Sequence, residues 1–330
     1  MAAEGLSEGE IIALIRAMAG DMQPGVEVPI GDDAASFHFA GGSVLLSIDS
    51  VFEDVHFTLR DYGLCDVAWK AVAAAVSDIA AMGGQPNCLL VSAGVAKPPT
   101  EAEVRSLMDG ILEMAASCNC VLVGGDVSRA SRGLSLAVAV AGTSPPSGPV
   151  LRSGAGEGDA IGVTGMPGRS AAGLRVIRSG EEMRSRYPGL VEAHLRPRPQ
   201  VAAGAVLAAE GATAMEDISD GLARDLMHVC EESGLGCELE GESVPLDDEM
   251  VVLASETGDD PLQWALAGGE DYGLVFTAAA ERLPGILGSL ARAGVPASGV
   301  GRMTGAGTGR VLVRDGARYD LGEYGYDHFR

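Results

Sequence analysis

Carboxylates recur in this sequence beside glycines or at the edges of apolar runs. Asp32 and Asp33 stand in PIGDDAA, Asp49 in LLSIDS, Asp78 in AAVSDIAAMGG and Asp126 in LVGGDVS. Asp217 and Asp220 follow in MEDISDG, and Glu270 and Asp271 in AGGEDYG. Taken singly, most have an ordinary explanation. GDD is a common turn, GGD after CVLV suits a turn as well as a site, and Asp220 could cap the helix that GLARDLMHVC predicts. Asp78 resists such a reading, because a charge among Ala, Val, Ile and Met has to be exposed or paired and its helix face is apolar. If the set converges, the carboxylates cannot all be ionised in an empty site. Two unit charges about 4 Å apart cost roughly 4 kcal/mol at an effective dielectric of 20. Divalent cations with oxygen ligands remove that penalty, and Mg²⁺ is the usual choice beside phosphates.

Arg152 and Ser153 in VLRSGAGEGD fit an anionic partner, since an arginine can grip phosphate oxygens; a surface arginine is the alternative. His56, seven residues after Asp49, is close enough to share its loop or is a structural histidine. Glu216 and Asp225, in MEDISDGLARDL, read as ordinary surface charges. Other chemistries find no support. Lys70 precedes Ala71 and Lys97 precedes Pro98, so no Walker A loop exists. There is no G-x-G-x-x-G after a strand, no G-x-S-x-G, no H-E-x-x-H, and the five histidines make no zinc quartet.

Strand-like and helical runs alternate around these residues. GSVLLSID (42–49), CLLVSAGV (88–95), CVLVGGD (120–126) and GLSLAVAVAGT (133–143) read as strands. Between them lie an Ala-rich helix over 66–83 and a helix over 100–118 opened by Thr100 and Glu103. A further helix opens the chain, with Ser7 as N-cap, Glu10 three residues on, and Ile11, Leu14, Ile15 and Met18 on one face. A Pro-, Gly- and Ser-rich stretch, 144–159, is the natural boundary. Beyond it AIGVTG and YGLVFTA read as strands and GRVLVRDG as a late strand or hairpin. GRSAAGLRVIRSG, QVAAGAVLAAEG, DGLARDLMHVCEESG and ERLPGILGSLARAG read as helices, the last broken early by Pro284. The expected fold is α/β, of mixed character, in two domains, 1–143 and 144–330.

Composition sets the remaining bounds. The 330 residues are 47% hydrophobic but only 4% aromatic, so Ala, Val, Leu, Ile and Met must build the cores. A net charge of −23 argues against nucleic-acid or anionic-membrane partners, and it repels a phosphorylated substrate unless a cation intervenes. The six cysteines are scattered without a C-x-x-C pair, and no apolar stretch reaches 18 residues. A cytoplasmic, reduced protein is expected.

The segments IGDDAA, SIDSVFEDVHF, KAVAAAVSDIAAMGGQP, VGGDVSR, LRSGAGEGD, GRSAAGL, HLRPRPQ, EDISDGLARDL, ALAGGEDYGLVF and GYDHF occur in one order from Ile30 to Phe329. In this the sequence resembles the thiamine-monophosphate kinase family, within the aminoimidazole ribonucleotide synthetase-like ATP-binding superfamily. The resemblance implies a two-domain fold in which each domain is a mixed sheet covered by helices. The N-terminal domain would bind ATP and Mg²⁺ and make a homodimer, and the C-terminal domain would complete the nucleotide and substrate site. The implied activity is ATP-dependent phosphorylation of thiamine monophosphate to thiamine diphosphate by direct in-line transfer, with several Mg²⁺ ions and no covalent nucleophile. Carried over by position, Asp32, Ser47, Ile48, Asp49, Asp78, Asp126, Asp217 and Asp220 look like metal ligands. Gly125, Arg152 and Ser219 look like ATP contacts, and His56, Glu270 and Tyr326 like contacts to thiamine monophosphate. Two positions depart from the family pattern. Ile48 stands where a threonine is usual, leaving only its backbone carbonyl for a metal, and Asp54 stands where Gly or a small residue is usual. A purine-precursor cyclo-ligase of the same superfamily is the second enzyme reading. A nonenzymatic divalent-cation-binding protein is the third, although no D-x-[DN]-x-[DN]-G-x₅-E loop is present.

Overall fold

Small and large aliphatic residues alternate along LSLAVAVAGT, and this pattern organises the first sheet. The computed structural model describes residues 12, 26–39 and 41–323; the expected Ser7–Met18 helix, apart from residue 12, and Tyr326 lie outside them. Six strands form this sheet: β1 (Val26–Val28), β2 (Ala35–Phe39), β3 (Gly42–Phe52), β4 (Gln85–Val95), β5 (Val121–Arg129) and β6 (Leu134–Thr143). They run in the order β1-β2-β3-β6-β4-β5, antiparallel except for the β4–β5 pair. Leu134, Leu136, Val138 and Val140 of β6 are buried on one face. There they meet two helices, α1 (Leu64–Ala81) and α2 (Glu101–Ser117). Thr100 and Glu103 close the expected capping box on α2. The other face is left open, with Leu46, Ile48 and Phe52 of β3 and Leu90 of β4 exposed. Between them β6 presents only Ser135, Ala137, Ala139 and Ala141.

Seven strands make the second sheet: β7 (Ala160–Thr164), β8 (Ala214–Asp217), β9 (Gly236–Glu240), β10 (Leu274–Ala278), β11 (Ala297–Thr304), β12 (Arg310–Arg314) and β13 (Ala317–Asp320). Their order is β13-β12-β9-β11-β7-β10-β8, and only β9–β12 is parallel. Helices cover both faces, so β7 and β10 are wholly buried apolar runs. One face carries α7 (Leu222–Ser233) and α9 (Pro261–Ala267), packed on Val275 and Ile161. The other carries α6 (Val201–Glu210) and α10 (Leu283–Arg292), packed on Phe276 and Leu274. The remaining helices, α3 (Arg169–Arg178), α4 (Glu181–Arg186), α5 (Pro188–Leu195) and α8 (Asp248–Thr257), form a satellite layer around Leu190 and Met250. Pro284 does not break α10. It sits in the first turn, where the missing N–H has no partner to lose.

Helix α1 joins the two halves, packing on β3 and β6 and also on α6 and β8. Its contact with α6 is backbone to backbone. A Cβ on Gly204 would lie 2.1 Å from the Ala80 carbonyl oxygen. Gly204→Ala therefore has to push α6 away from α1. Such overpacking costs roughly 1–3 kcal/mol, more than the up to ~1 kcal/mol alanine gains inside a helix. Urea unfolding should show a lower midpoint at unchanged slope; an unchanged midpoint would mean that the two helices separate freely.

Candidate active site

The charged residues of α1 fall in one row. Asp66, Lys70, Ala74 and Asp78 are spaced four apart, so they share a helix face. That face turns toward the second sheet. At its far end Asp78 meets Asp33, just before β2, and Asp217, the last residue of β8, with one oxygen of each carboxylate lying within 4.8 Å of the other two. The Ser47 hydroxyl of β3 donates to Asp78. Burial pushes the Asp78 carboxyl well above its ordinary range, and the charges of Asp49, Asp217 and Asp33 push it further. Asp217 is raised by burial and then by Asp33. Asp49 is raised to about 6, by burial and then by Asp220. Five carboxylates from three strand or loop segments and one helix thus crowd into one desolvated spot. The donors are all oxygen, those of Asp33, Asp78 and Asp217 are close enough to share an ion, and the repulsion of the set is relieved by positive charge. Mg²⁺ fits such a set.

A cavity of about 1380 Å³ opens over this cluster. Of the expected residues, Asp49, His56, Asp78, Arg152, Asp217, Ser219, Asp220 and Glu270 line it. Ser47 reaches it through Asp78. Asp32 does not join the triad, because its two oxygens accept the N–H groups of Asp33 and Arg152, both at 3.0 Å. Of two adjacent candidates, Asp32 and Asp33, the structure brings the second to Asp78 and Asp217. Ile48 points to the open sheet face, 68% exposed, opposite to Asp49. Gly125 and Asp126 are exposed on β5 and do not line the cavity; the Asp126 carboxylate accepts a hydrogen bond from Ser128 at 2.6 Å. Strands β3 and β5 run on past Asp49 and Asp126, so these two stand mid-strand and not at strand ends.

The opposite wall contains a group that sequence reasoning passed over. Lys70 is buried, and its Nζ lies 2.8 Å from Glu270 Oε2 and 3.2 Å from the Tyr62 hydroxyl. Burial lowers the Lys70 ammonium pKa, and Glu270 opposes that shift. Tyr62 also bonds His194, whose other ring nitrogen meets the Ser170 hydroxyl at 2.9 Å. Burial, then Lys70, hold His194 well below its ordinary pKa, so it is neutral. The signal was a lone lysine in a mostly apolar helix, eight positions before Asp78. Glu270 itself has φ 65° and Tyr272 φ 50°, left-handed values costly for side-chain-bearing residues. Backbone bonds from Glu270 N to Ser219 O (2.7 Å) and Tyr272 N to Ile218 O (2.9 Å) hold them there. Asp54 takes φ 67°, which explains why glycine suits that position.

Glu216 and Asp225 are not surface charges: each is about 1% exposed. Glu216 lies 3.1 Å from the Arg152 guanidinium and 2.8 Å from His228 Nδ1. Arg152 is also bound by Asp33 at 2.9 Å. Asp220 does not cap α7 from its N-cap position. Gly221 is the N-cap, and Asp225, within the first turn, accepts the N–H groups of Ser219 (3.0 Å) and Asp220 (3.1 Å). That contact fixes the turn on which the cavity-lining Ser219 and Asp220 stand. Sequence spacing alone could not separate a buried turn-holding aspartate from a solvated one.

Comparison with known proteins places this geometry. Models of the AIR synthase related proteins match residues 31–144 (N-terminal domain) and 156–314 (C-terminal domain). The thiamine-monophosphate kinase of Salmonella typhimurium is 36% identical over 309 residues, covering 92% of each chain. That of Bacillus subtilis is 33% identical over 312 residues, covering 92% of this chain and 94% of its own. Among solved structures, AaThiL complexed with AMPPCP and TMP has a TM-score of 0.86 at 31% identity over 99% of both chains. The hydrogenase maturation protein HypE, 21% identical with a TM-score of 0.68, shares the fold. With relatives this similar over nearly its whole length, the chain belongs to the thiamine-monophosphate kinase family, phosphotransferases on the two-domain AIR synthase related fold.

Proposed function

We propose that the protein transfers the γ-phosphoryl group of ATP directly, in line, to the phosphate of thiamine monophosphate, giving thiamine diphosphate. The observation that carries this reading is the meeting of Asp33, Asp78 and Asp217, with Asp49 and Asp220, on one cavity that runs from Arg152 to Glu270. An acidic wall of this kind repels two phosphorylated substrates. Mg²⁺, when bound there, supplies the charge neutralisation and polarisation of phosphoryl oxygens that such transfers need. Asp33, Asp49, Asp78, Asp217 and Asp220 would hold the ions, with Ser47 and the backbone carbonyl of Ile48 as neutral donors. Arg152 addresses the nucleotide phosphates, its guanidinium aimed by Asp33 and Glu216. Asp32 fixes the Arg152 backbone. Ser219 stands on the turn that Asp225 holds. His56 and Glu270, with Tyr326, take thiamine monophosphate at the other end, and Lys70 orients Glu270.

The open sheet face supports a homodimer through the N-terminal domain. Leu46, Ile48, Phe52 and Leu90 are exposed together around the small side chains of β6. Gly125 and Asp126 lie on the exposed β5 strand, so a second copy seated there places them at the contact between copies. Ile48→Asp is expected to convert a dimer into a monomer in sedimentation. A wild-type monomer would remove this part of the proposal.

Incubation with ATP, Mg²⁺ and thiamine monophosphate should yield thiamine diphosphate and ADP. Turnover of formylglycinamidine ribonucleotide in its place would point to the cyclo-ligase. Asp78→Asn should lower kcat roughly 100-fold or more. It removes a carboxylate whose raised pKa makes its ionised form costly to the fold, so the metal-free melting temperature should hold or rise, and the gain on adding Mg²⁺ should shrink. Full activity at low Mg²⁺ would contradict its placement among the ligands. Lys70→Met should raise KM for thiamine monophosphate roughly tenfold, the loss of a charged hydrogen bond, and change kcat less. An unaltered KM would show that Glu270 is positioned without it.

A further inference from the structure

Neighbouring side chains on β8 face opposite ways, and so serve two different clusters. Asp217 turns toward Asp33 and Asp78. Glu216 turns toward α7, where Asp225 and His228, three residues apart, share a helix face. One ligand atom from each of Glu216, Asp225 and His228 lies within 4.8 Å of the others. A second, independent feature marks this group. Glu216 Oε2 and Asp225 Oδ1 are both buried without a hydrogen-bond partner among the described residues. Their sister oxygens are taken: Glu216 Oε1 by Arg152 and His228, and Asp225 Oδ2 by the N–H groups of Ser219 and Asp220. Two orphaned carboxylate oxygens, each itself buried, beside an imidazole are a costly arrangement unless a cation completes it.

We propose that Glu216, Asp225 and His228 form a separate metal site for a divalent first-row transition ion, with Zn²⁺ as the representative. The donor set decides the class. Imidazole with two carboxylates suits Zn²⁺ and its neighbours, whereas the all-oxygen Asp33–Asp78–Asp217 set suits Mg²⁺. Glu216 and His228 both line the large cavity, which gives an ion an entry path from the solvent. The residues also tie the site to its surroundings. Glu216 steers Arg152, and Asp225 holds the Ser219–Asp220 turn, so an ion between them stiffens both elements. The assignment requires neither nucleotide nor thiamine monophosphate to be the substrate, and it stands apart from that reading.

The test uses the full-length protein, stripped with a chelator, saturated with Mg²⁺ and kept free of nucleotide. Titration with Zn²⁺ should reveal one tight site per chain, and crystals soaked in Zn²⁺ should show an anomalous peak bounded by Glu216, Asp225 and His228. Glu216→Gln and His228→Gln should each abolish that peak, while Asp78→Asn keeps it. No peak there in the wild type at millimolar Zn²⁺ overturns the proposal, whatever the variants do. So does a peak that persists unchanged in both Glu216→Gln and His228→Gln. Phosphorylation of thiamine monophosphate with Mg²⁺ alone, measured on the same preparation, reports separately on the kinase reading.

Discussion

Repulsion among desolvated carboxylates is the constraint around which this protein is arranged. Asp33, Asp49, Asp78, Asp217 and Asp220 come from opposite sides of the junction between the two sheets, and each raises the cost of ionising another. Folding alone does not reward such crowding, since at an effective dielectric of about 20 each close pair costs several kcal/mol. The fold must hold these groups together against that force. It does so with rigid elements. Asp78 is anchored on a helix buried nearly all round, Asp49 in the body of an eleven-residue strand, and Asp217 at the end of a strand paired with the buried β10.

The same demand explains the packing of α1. It is an Ala-rich helix because it must touch a sheet on one side and α6 and β8 on the other, and small side chains permit approach on both. Where contact is closest there is no side chain at all, as at Gly204 against Ala80. Strain gathers in the loop that carries Glu270 and Tyr272. Glu270 and Tyr272 hold left-handed backbone conformations only because the loop that carries them is hydrogen-bonded to Ser219 and Ile218. The loop bearing Glu270 and the turn bearing Asp220 are therefore one mechanical unit. Displacing either end of the site displaces the other.

Much of this was legible in the sequence, for identifiable reasons. Asp78 announced itself because a charge inside an apolar helix has few explanations, and the Thr100–Glu103 box because capping is local. AIGVTG and YGLVFTA, rich in Val, Ile, Leu and Phe, read as strands, and both are buried in the second sheet. What stayed hidden depends on partners remote in sequence. Asp32 and Asp33 are indistinguishable by type and neighbourhood; only the fold shows that Asp33 meets Asp78 and Asp217 while Asp32 accepts the N–H of Arg152, 120 residues away. Glu216 and Asp225 looked solvated because nothing local shows that β8 and α7 bury them. The strands β1, β2, β8, β9 and β11 escaped notice because they are short, acidic or glycine-containing, and gain their form from pairing and not from propensity. Lys70 was set aside as a failed phosphate-loop lysine, although its spacing from Asp78 by two four-residue steps already put both on one helix face.

The net charge of −23 invites the inference that phosphorylated substrates are kept away by the whole molecule. Screening weakens that inference. At physiological ionic strength the Debye length is about 8 Å, so exposed carboxylates beyond that range contribute little to the potential inside a cavity. Many of them are already paired: Glu101 with Arg105, Asp259 with Arg175, Glu256 with Arg186 and Glu238 with Arg302 and Arg318. What an anionic ligand meets is the local set. Among the described residues around the cavity, that set holds three guanidinium groups: Arg152, whose charge is shared between Asp33 and Glu216, Arg224, paired with Asp220, and Arg178; behind Glu270 lies one ammonium, Lys70, which it engages. Arg152, Arg224 and Lys70 each have a carboxylate beside them, and the carboxylates lining the cavity outnumber its arginines. On the proposed reading, ions held by the buried carboxylates would add to these arginines the positive charge that a phosphate meets, and the number of those carboxylates would set how much can be held.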